Sequence, residues 1–347
     1  MKLIELFSGI GGFAKGFENA GYKLSEHYFS EIDKHSIANY KYNFPHAKHI
    51  GSVTDISGRD FKGIDIITFG SPCQDFSIAG NGEGLGGKRS VLILEAIRLV
   101  TEIRPPVFIW ENVKGAFSSN SGADFWAIIQ AFANIGGYRL EWQLLNTKWV
   151  LPQNRERIFL IGHLDGRSKP GVFPIGEGNS LYFGHGKNQK KIYTNNRTAL
   201  TQQARQYASW NGDFIKVKSA TKIGYEKACH GDSINLSLPN SETRRGRVGK
   251  GVAQTLDTQC NQSVYYESDI RRLTEIECER LQGFPDDWTK YGVYEKQVWI
   301  NKKEGTFEIV EGVKEIPKTQ RYKQLGNAVT VDIVEKIAKK LNYDERS

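Results

Sequence analysis

Cysteine and methionine are scarce in this chain, with four and one in 347 residues, and no long apolar run occurs. Cys73, Cys229, Cys260 and Cys278 stand far apart, without a Cys-x-x-Cys pair or a histidine at metal-ligand spacing. Neither a zinc site nor a disulfide framework is therefore expected, and three of the four thiols read as small buried hydrophobes. No window approaches the roughly 18 consecutive apolar residues of a membrane helix, because runs such as VLILEAIRLV are broken by charge. The opening MKLIELFSGIGG lacks the charged head, apolar stretch and cleavage site of a secretory signal, so a cytoplasmic protein is expected. The length allows one large domain, alone or carrying a smaller one.

Positive charge, by contrast, is concentrated. Residues 187 to 252 hold 13 Lys and Arg against 4 Asp and Glu, while the rest of the chain is near neutral, 34 against 35. Tyr193, Tyr207, Trp210, Phe214 and Tyr225 are interleaved with that charge. Such a segment suits a polyanion, since phosphate contacts supply most of the non-specific affinity for nucleic acid; charge alone fits a solvated face as well.

From residue 1 to about 164, short β-rich runs (LIELF, KLSEHYFS, DIITFG, VFIWEN, YRLEWQLLN, RIFLIGHL) alternate with helix-period segments at 13 to 19, 33 to 43, 90 to 103 and 124 to 134. This alternation predicts an α/β fold with a mostly parallel sheet, which binds ligands beyond the carboxyl ends of its strands. Between about 166 and 268 the texture turns to Gly, Asn, Ser, Gln and Lys, as in a second, irregular domain. TEIECERLQGF opens with Thr274 and Glu277 at capping-box spacing and ends at Gly283 and Pro285, so a short helix is expected. QVWINKKEGTFEIV reads as a hairpin around KKEG, and TVDIVEKIAKKL as a helix that packs on the first domain.

Several strand ends carry chemistry. FSGIGGF puts Gly9, Gly11 and Gly12 between a strand and a helix, where backbone amides can approach a ligand. This turn serves nicotinamide, flavin and S-adenosylmethionine binders alike, and its spacing is not G-x-G-x-x-G. Glu31, in the SEID that ends the second strand-like run, could accept both hydroxyls of a ribose. Cys73, in SPCQ, leaves the third apolar run at the top of the sheet, where local dipoles and cations can hold a thiol partly as the nucleophilic thiolate; Lys88 and Arg89 follow. Glu111, in WENVKG, ends a buried run, where desolvation raises a carboxyl pKa toward neutrality. In QNRER, Arg155 and Arg157 share a face by alternation and could pair Glu111 or bind a base and its phosphate.

A thiol, a protonatable glutamate, an arginine pair, an adenosine-type pocket and a basic module suit addition of a thiolate to carbon 6 of cytosine while a carboxylic acid protonates N3. Carbon 5 thereby becomes nucleophilic enough to accept a methyl group. FSGIGGF, SPCQDFS with GKRS after it, ENV, QNRER, RRLTEIECERLQGFPDDW and YKQLGNAVTV follow one another along the chain. With these blocks the chain resembles the DNA (cytosine-5) methyltransferases of the bacterial and phage restriction-modification type, over nearly its whole length apart from the variable middle.

The resemblance implies a Rossmann-like catalytic domain at 1–165 plus 319–347, of the S-adenosylmethionine-dependent methyltransferase type. It implies a smaller β-rich target-recognition domain at 166–318, including the 270–290 helical block and a hairpin near 297–312. Cys73 would be the nucleophile, Glu111 the N3 partner and Arg157 a contact to the flipped cytosine, supported by Arg155 and Gln153. Phe7, Ser8, Gly9, Gly11, Gly12, Glu31, Ile32, Ser52, Val53, Pro72, Leu92, Asn327 and Val329 would meet S-adenosylmethionine, whose product is S-adenosylhomocysteine; no metal is implied. Gln74, Ser77, Lys88, Arg89, Arg244, Arg245, Arg247, Thr255 and Leu256 would face double-stranded DNA. Where the family usually has Gly-Asp-[Ile/Val]-Thr this chain has GSVT, so Ser52 and Asp55 both stand as candidates for the adenine contact. A monomer in the bacterial cytoplasm, associated with the nucleoid while acting, is expected. A cognate restriction endonuclease, a phage role and a solitary role stay open as context. A tRNA cytosine-5 methyltransferase and an inactive DNA-binding homologue are the alternatives.

Overall fold

The computed structural model describes residues 1–71, 91–117, 122–176, 214–239, 241, 243–266, 269–301 and 304–343. The first part builds a sheet from β1 (Lys2–Leu6), β2 (Glu26–Ser30), β3 (Lys48–His49), β4 (Ile66–Gly70), β5 (Val107–Val113), β6 (Tyr138–Asn146) and β8 (Glu156–Leu164), with β7 (Gln153–Asn154) just ahead of β8. Its strand order is β3-β2-β1-β4-β5-β8-β6. The pairs from β3 through β5 are parallel, whereas β8 runs antiparallel to both β5 and β6. Strands ITF of β4 and VFIW of β5 are buried on both faces, as parallel strands covered by helices must be, and this is why they read as continuous apolar runs.

Helices α1 (Gly12–Asn19), α2 (Lys34–Asn43), α3 (Val91–Ile103) and α4 (Ala123–Ala133) lie within a residue of the segments expected from periodicity. One face of the sheet packs through Leu3, Phe29, Ile66, Ile109 and Phe159 against α1, α2 and the carboxyl-terminal helices. The other packs through Ile4, Ile67, Phe108, Trp110 and Leu160 against α3 and α4. Asp33 caps α2 by accepting from the amides of His35 and Ser36.

Residues 214–272 form smaller sheets: β9 (Ile215–Lys218) with β10 (Tyr225–Ala228), and β11 (Ser233–Asn235), β12 (Val248–Gly249), β14 (Gln262–Tyr266) and β15 (Asp269–Arg272) in the order β12-β11-β14-β15. β13 (Ala253–Gln254) pairs in parallel with β7 in a separate two-stranded sheet and so ties this region to the segment that leads into β8. Helix α5 (Glu275–Leu281) starts with the expected capping box of Thr274 and Glu277.

Two expectations gain detail. The 270–290 block belongs to both regions: Ile270–Arg272 pair with β14 and Cys278 meets Cys260, while Leu273, Cys278, Leu281, Phe284 and Trp288 sit in the core that also holds Leu3 and Ile66. The hairpin is longer than 297–312, running through β16 (Tyr291–Asn301) and β17 (Thr306–Glu315), and its base lies on α2, where Lys41 meets Glu295 and Glu311. A helix not expected from periodicity, α6 (Lys318–Asn327), precedes α7 (Val331–Ala338). The latter lies so close to α1 that a Cβ on Gly16 would fall 2.5 Å from Val334.

Glu5 on β1 is buried beneath the first turn of α1, where Oε2 accepts from the Ala14 amide at 3.1 Å and the Tyr40 hydroxyl at 2.9 Å. Burial outweighs these bonds and pushes its carboxyl from 4.5 up to about 8. The folded protein thus keeps a proton that the unfolded chain releases above about pH 4.5, so stability falls as pH rises from there through about 8. Between pH 5 and 9 the Tm of the wild type should fall by roughly 5 °C more than that of Glu5→Gln. Equal slopes in thermal melts would show that Glu5 ionises freely in the fold.

Candidate active site

At the carboxyl end of β1 the chain turns through Phe7 and Gly9, both with positive φ (51° and 55°), before Gly11 at 81° opens α1. Gly11 has no alternative, since a Cβ there would lie 2.4 Å from the Phe44 ring. The Gly9 amide donates to Glu31 Oε2 at 2.9 Å, so the ends of β1 and β2 are locked together. Glu31 Oε1 accepts from the amides of Ile32 and Asp33. Beside it Ile32 is 79 % exposed, an unusual position for a large apolar side chain at a strand end. Ser8 is buried, with its hydroxyl unpartnered among the described residues.

Ser52 and Asp55 belong to one turn: Asp55 N donates to Ser52 O, and Thr54 Oγ1 bonds both Ser52 Oγ and Asp55 Oδ1. The Arg98 guanidinium holds that turn through the carbonyls of Val53 and Ile56. The Val53 side chain points into the core. Leu92 is partly buried against the same core, and Asn327 is exposed.

Glu111 ends the buried part of β5, opposite Gly70 of β4, whose missing side chain leaves room for the carboxylate: a Cβ on Gly70 would lie 3.1 Å from Glu111 Oε2. Arg157 Nε pairs with Glu111 Oε1 at 3.0 Å, both side chains largely buried. Burial nevertheless raises the Glu111 carboxyl above the ordinary range, against the opposing pull of Arg157 and Arg155. Directly after Gly70, Ser71 is buried and its hydroxyl accepts from Trp110 Nε1 at 3.1 Å. Pro72, Cys73, Gln74, Ser77, Lys88 and Arg89 lie outside the described residues.

Gln153 and Arg155 are tied into the backbone around them. Gln153 Nε2 donates to Leu281 O at 2.8 Å, and Gln153 Oε1 accepts from Leu256 N at 3.1 Å. Arg155, 2 % exposed, donates to the carbonyls of Leu256, Gly326 and Ala328. Thr255 Oγ1 donates to Asn154 O. Leu256, expected to face DNA, has its side chain buried in the core. Val329 lies against Gly12, so the carboxyl-terminal block returns to the glycine turn.

Of the arginines in RRGR, Arg245 is exposed and Arg244 half-buried, whereas Arg247 is 2 % exposed. Its guanidinium donates to the carbonyls of Lys218, Asn235 and Pro239. This corrects the expectation that Arg247 faces DNA. Sequence reasoning also missed Gln282, which is fully buried, donates to Leu325 O and accepts from Thr330 Oγ1. A polar residue after a helix gives no signal of such a role. Among the described residues no cluster of His, Cys, Asp and Glu could hold a metal, and no helix is long and apolar enough to cross a membrane.

A glycine turn on a strand end, an adjoining carboxylate and a second carboxyl one strand beyond the central β4 gather at the carboxyl edge of an α/β sheet, the place where enzymes of this class hold their ligands. Residues 1–343 match the model of the C-5 cytosine-specific DNA methylase family, and the chain belongs to it. The protein is a DNA cytosine-5 methyltransferase. It is 33 % identical over 341 residues to the Type II methyltransferase M.HaeII of Haemophilus aegyptius, covering 97 % of this chain and 91 % of that one. To M.NgoBI of Neisseria gonorrhoeae it is 31 % identical, covering 96 % and 90 %. The S. pombe Dnmt2 methyltransferase shares the fold with a TM-score of 0.55 at 17 % identity, over 97 % of this chain and 96 % of that one.

Replacing Arg155 by Ala would leave three carbonyls without their donor and should cost about 3 kcal/mol or more of stability in urea unfolding. A loss under about 0.5 kcal/mol, the range of ordinary surface substitutions, would remove it from the scaffold.

Proposed function

We propose that the protein transfers a methyl group from S-adenosylmethionine to carbon 5 of a cytosine flipped out of a specific duplex sequence, through a transient bond between Cys73 Sγ and carbon 6. The observation that carries this reading is Glu111: a desolvated carboxyl with a raised pKa, fixed by Arg157, on the strand beside the one from which SPCQ departs. A carboxyl whose proton is held more tightly through burial can donate to N3, which draws electrons from the ring and opens carbon 6 to a thiolate. Carbon 5 then takes the methyl group, S-adenosylhomocysteine being the leaving group, and loss of the carbon 5 proton with departure of the Cys73 thiolate restores the double bond between carbons 5 and 6. Arg157, beside Glu111, is suited to the cytosine carbonyl. Flipping costs about a few kcal/mol, which contacts from the 214–272 region to the duplex would offset.

The residues fit the methyl donor. Glu31 retains acceptor capacity toward a ribose, exposed Ile32 offers an apolar platform to a purine, and the Gly9 turn admits close backbone approach. Ser52 or Asp55 would meet the adenine edge. S-adenosylmethionine supplies an electrophilic methyl group when bound. The similarity to Type II methyltransferases supports a role beside a cognate nuclease.

Bisulfite sequencing of a plasmid from cells expressing the chain tests the activity and reports its site. Cys73→Ser should reduce turnover more than a thousandfold while duplex affinity stays within about threefold, because the thiolate adds covalently after binding. Near-normal methylation by that variant would exclude the covalent route. Glu111→Gln should lower kcat by about two orders of magnitude with little change in affinity for S-adenosylmethionine; collapse of that affinity instead would make the carboxylate structural. Arg245→Ala should lower the salt slope of duplex binding by about one, whereas a slope left unchanged would take Arg245 off the phosphates.

A further inference from the structure

We propose that Ile223 and Leu238 read thymine, meeting the 5-methyl groups of A·T pairs in the major groove of the bound duplex. This rests on the reading of the chain as a duplex-DNA methyltransferase and names which side chains give it part of its sequence preference. Both residues sit on loops held side by side. The 219–224 turn between β9 and β10 is closed by Ser219 N on Gly224 O at 3.0 Å and Gly224 N on Thr221 O at 2.9 Å. The chain at 244–245 is bonded to it: Ala220 N donates to Arg244 O at 2.8 Å, and Arg245 Nε donates to Ala220 O at 2.9 Å.

Beneath them Arg247 acts as a fastener. Its Nη1 donates to Lys218 O at 2.8 Å and to Pro239 O at 2.9 Å, and Nε and Nη2 donate to Asn235 O. One buried guanidinium therefore ties the stem of the 219–224 turn to both the start and the middle of the 236–246 loop. Moving either loop alone would strand a buried charge-assisted hydrogen bond, so the pair behaves as one preformed edge.

That edge exposes apolar groups where solubility alone would put polar ones. Ile223 is 66 % and Leu238 67 % exposed. Leu238 also holds a left-handed backbone, φ +54°, which a glycine or asparagine would adopt with less strain. Lys222, Arg244 and Arg245 on the same two loops supply cationic charge for phosphates, a task to which isoleucine and leucine contribute nothing. On a stacked duplex, the apolar group that a side chain can reach at base level is the thymine methyl, and it lies in the groove wide enough to admit two protein strands.

The test uses the full-length protein and short duplexes carrying the sequence mapped by bisulfite sequencing. Each thymine is replaced in turn by deoxyuridine, which keeps the pairing and removes only the methyl. At one thymine or more, deoxyuridine should weaken wild-type binding roughly fourfold, the worth of one buried methyl. The double variant Ile223→Ala, Leu238→Ala should bind the thymine duplex with the same loss and show no further loss with deoxyuridine. Methylation with full indifference to every thymine methyl, or a recognition sequence lacking A·T pairs, overturns this inference and leaves the methyltransferase reading standing. Absence of methylation on any DNA overturns both.

Discussion

Arg155 lies buried with its guanidinium on the carbonyls of Leu256, Gly326 and Ala328, which come from the close of the recognition region and from the carboxyl-terminal block. A cation so deep is costly unless every direction around it offers an acceptor, and burial indeed disfavours its charge. Those carbonyls, with the nearby Glu111 carboxylate, provide most of the compensation, Nε alone lacking a partner among the described residues. The arrangement works in both senses: the backbone needs a donor there, and the arginine needs the backbone. Gly326 makes the approach feasible, because a Cβ would lie 2.5 Å from the backbone of Asp257.

From that anchor the chemistry of the next arginine follows. Arg157, two residues on and on the antiparallel strand beside β5, meets Glu111 from the strand edge. Two opposing effects then set the carboxyl: cations at 157 and 155 favour the anion, and loss of water favours the acid. Burial wins, so the group is raised rather than lowered. A pair that keeps more of its water resolves the other way, as with half-buried Glu277, which Arg271 draws down to about 2.

The same side-chain type does different work at neighbouring positions of the recognition region. Arg245 stands in solvent, while Arg247 is a buried fastener. Periodicity cannot separate them in RRGR, since the loop has no regular repeat and the difference arises from the carbonyls of 218, 235 and 239 converging on one spot. Helix α6 was hidden for a related reason. Its buried residues are Arg321, Gln324, Leu325 and Gly326, so no apolar stripe marks it; Arg321 is instead satisfied by Glu279 at 3.0 Å. The 270–290 block pairs with β14 through Ile270–Arg272 and yet sinks Leu273, Cys278, Leu281, Phe284 and Trp288 into the main core, a double attachment that chain order does not reveal.

Legible in the residues themselves were the alternating elements of the first sheet, the capped helix at Thr274, and the set of groups at strand ends: the glycine turn, Glu31, Cys73, Glu111 and the QNRER arginines. Strand and helix periods are local properties, and a glycine, thiol or carboxyl placed where an apolar run stops is visible without a fold. The tertiary structure alone decided what each polar group does there. Whether an arginine meets a carbonyl, a carboxylate or water depends on segments a hundred residues apart, and the proton affinity of Glu111 depends on how much water those segments exclude.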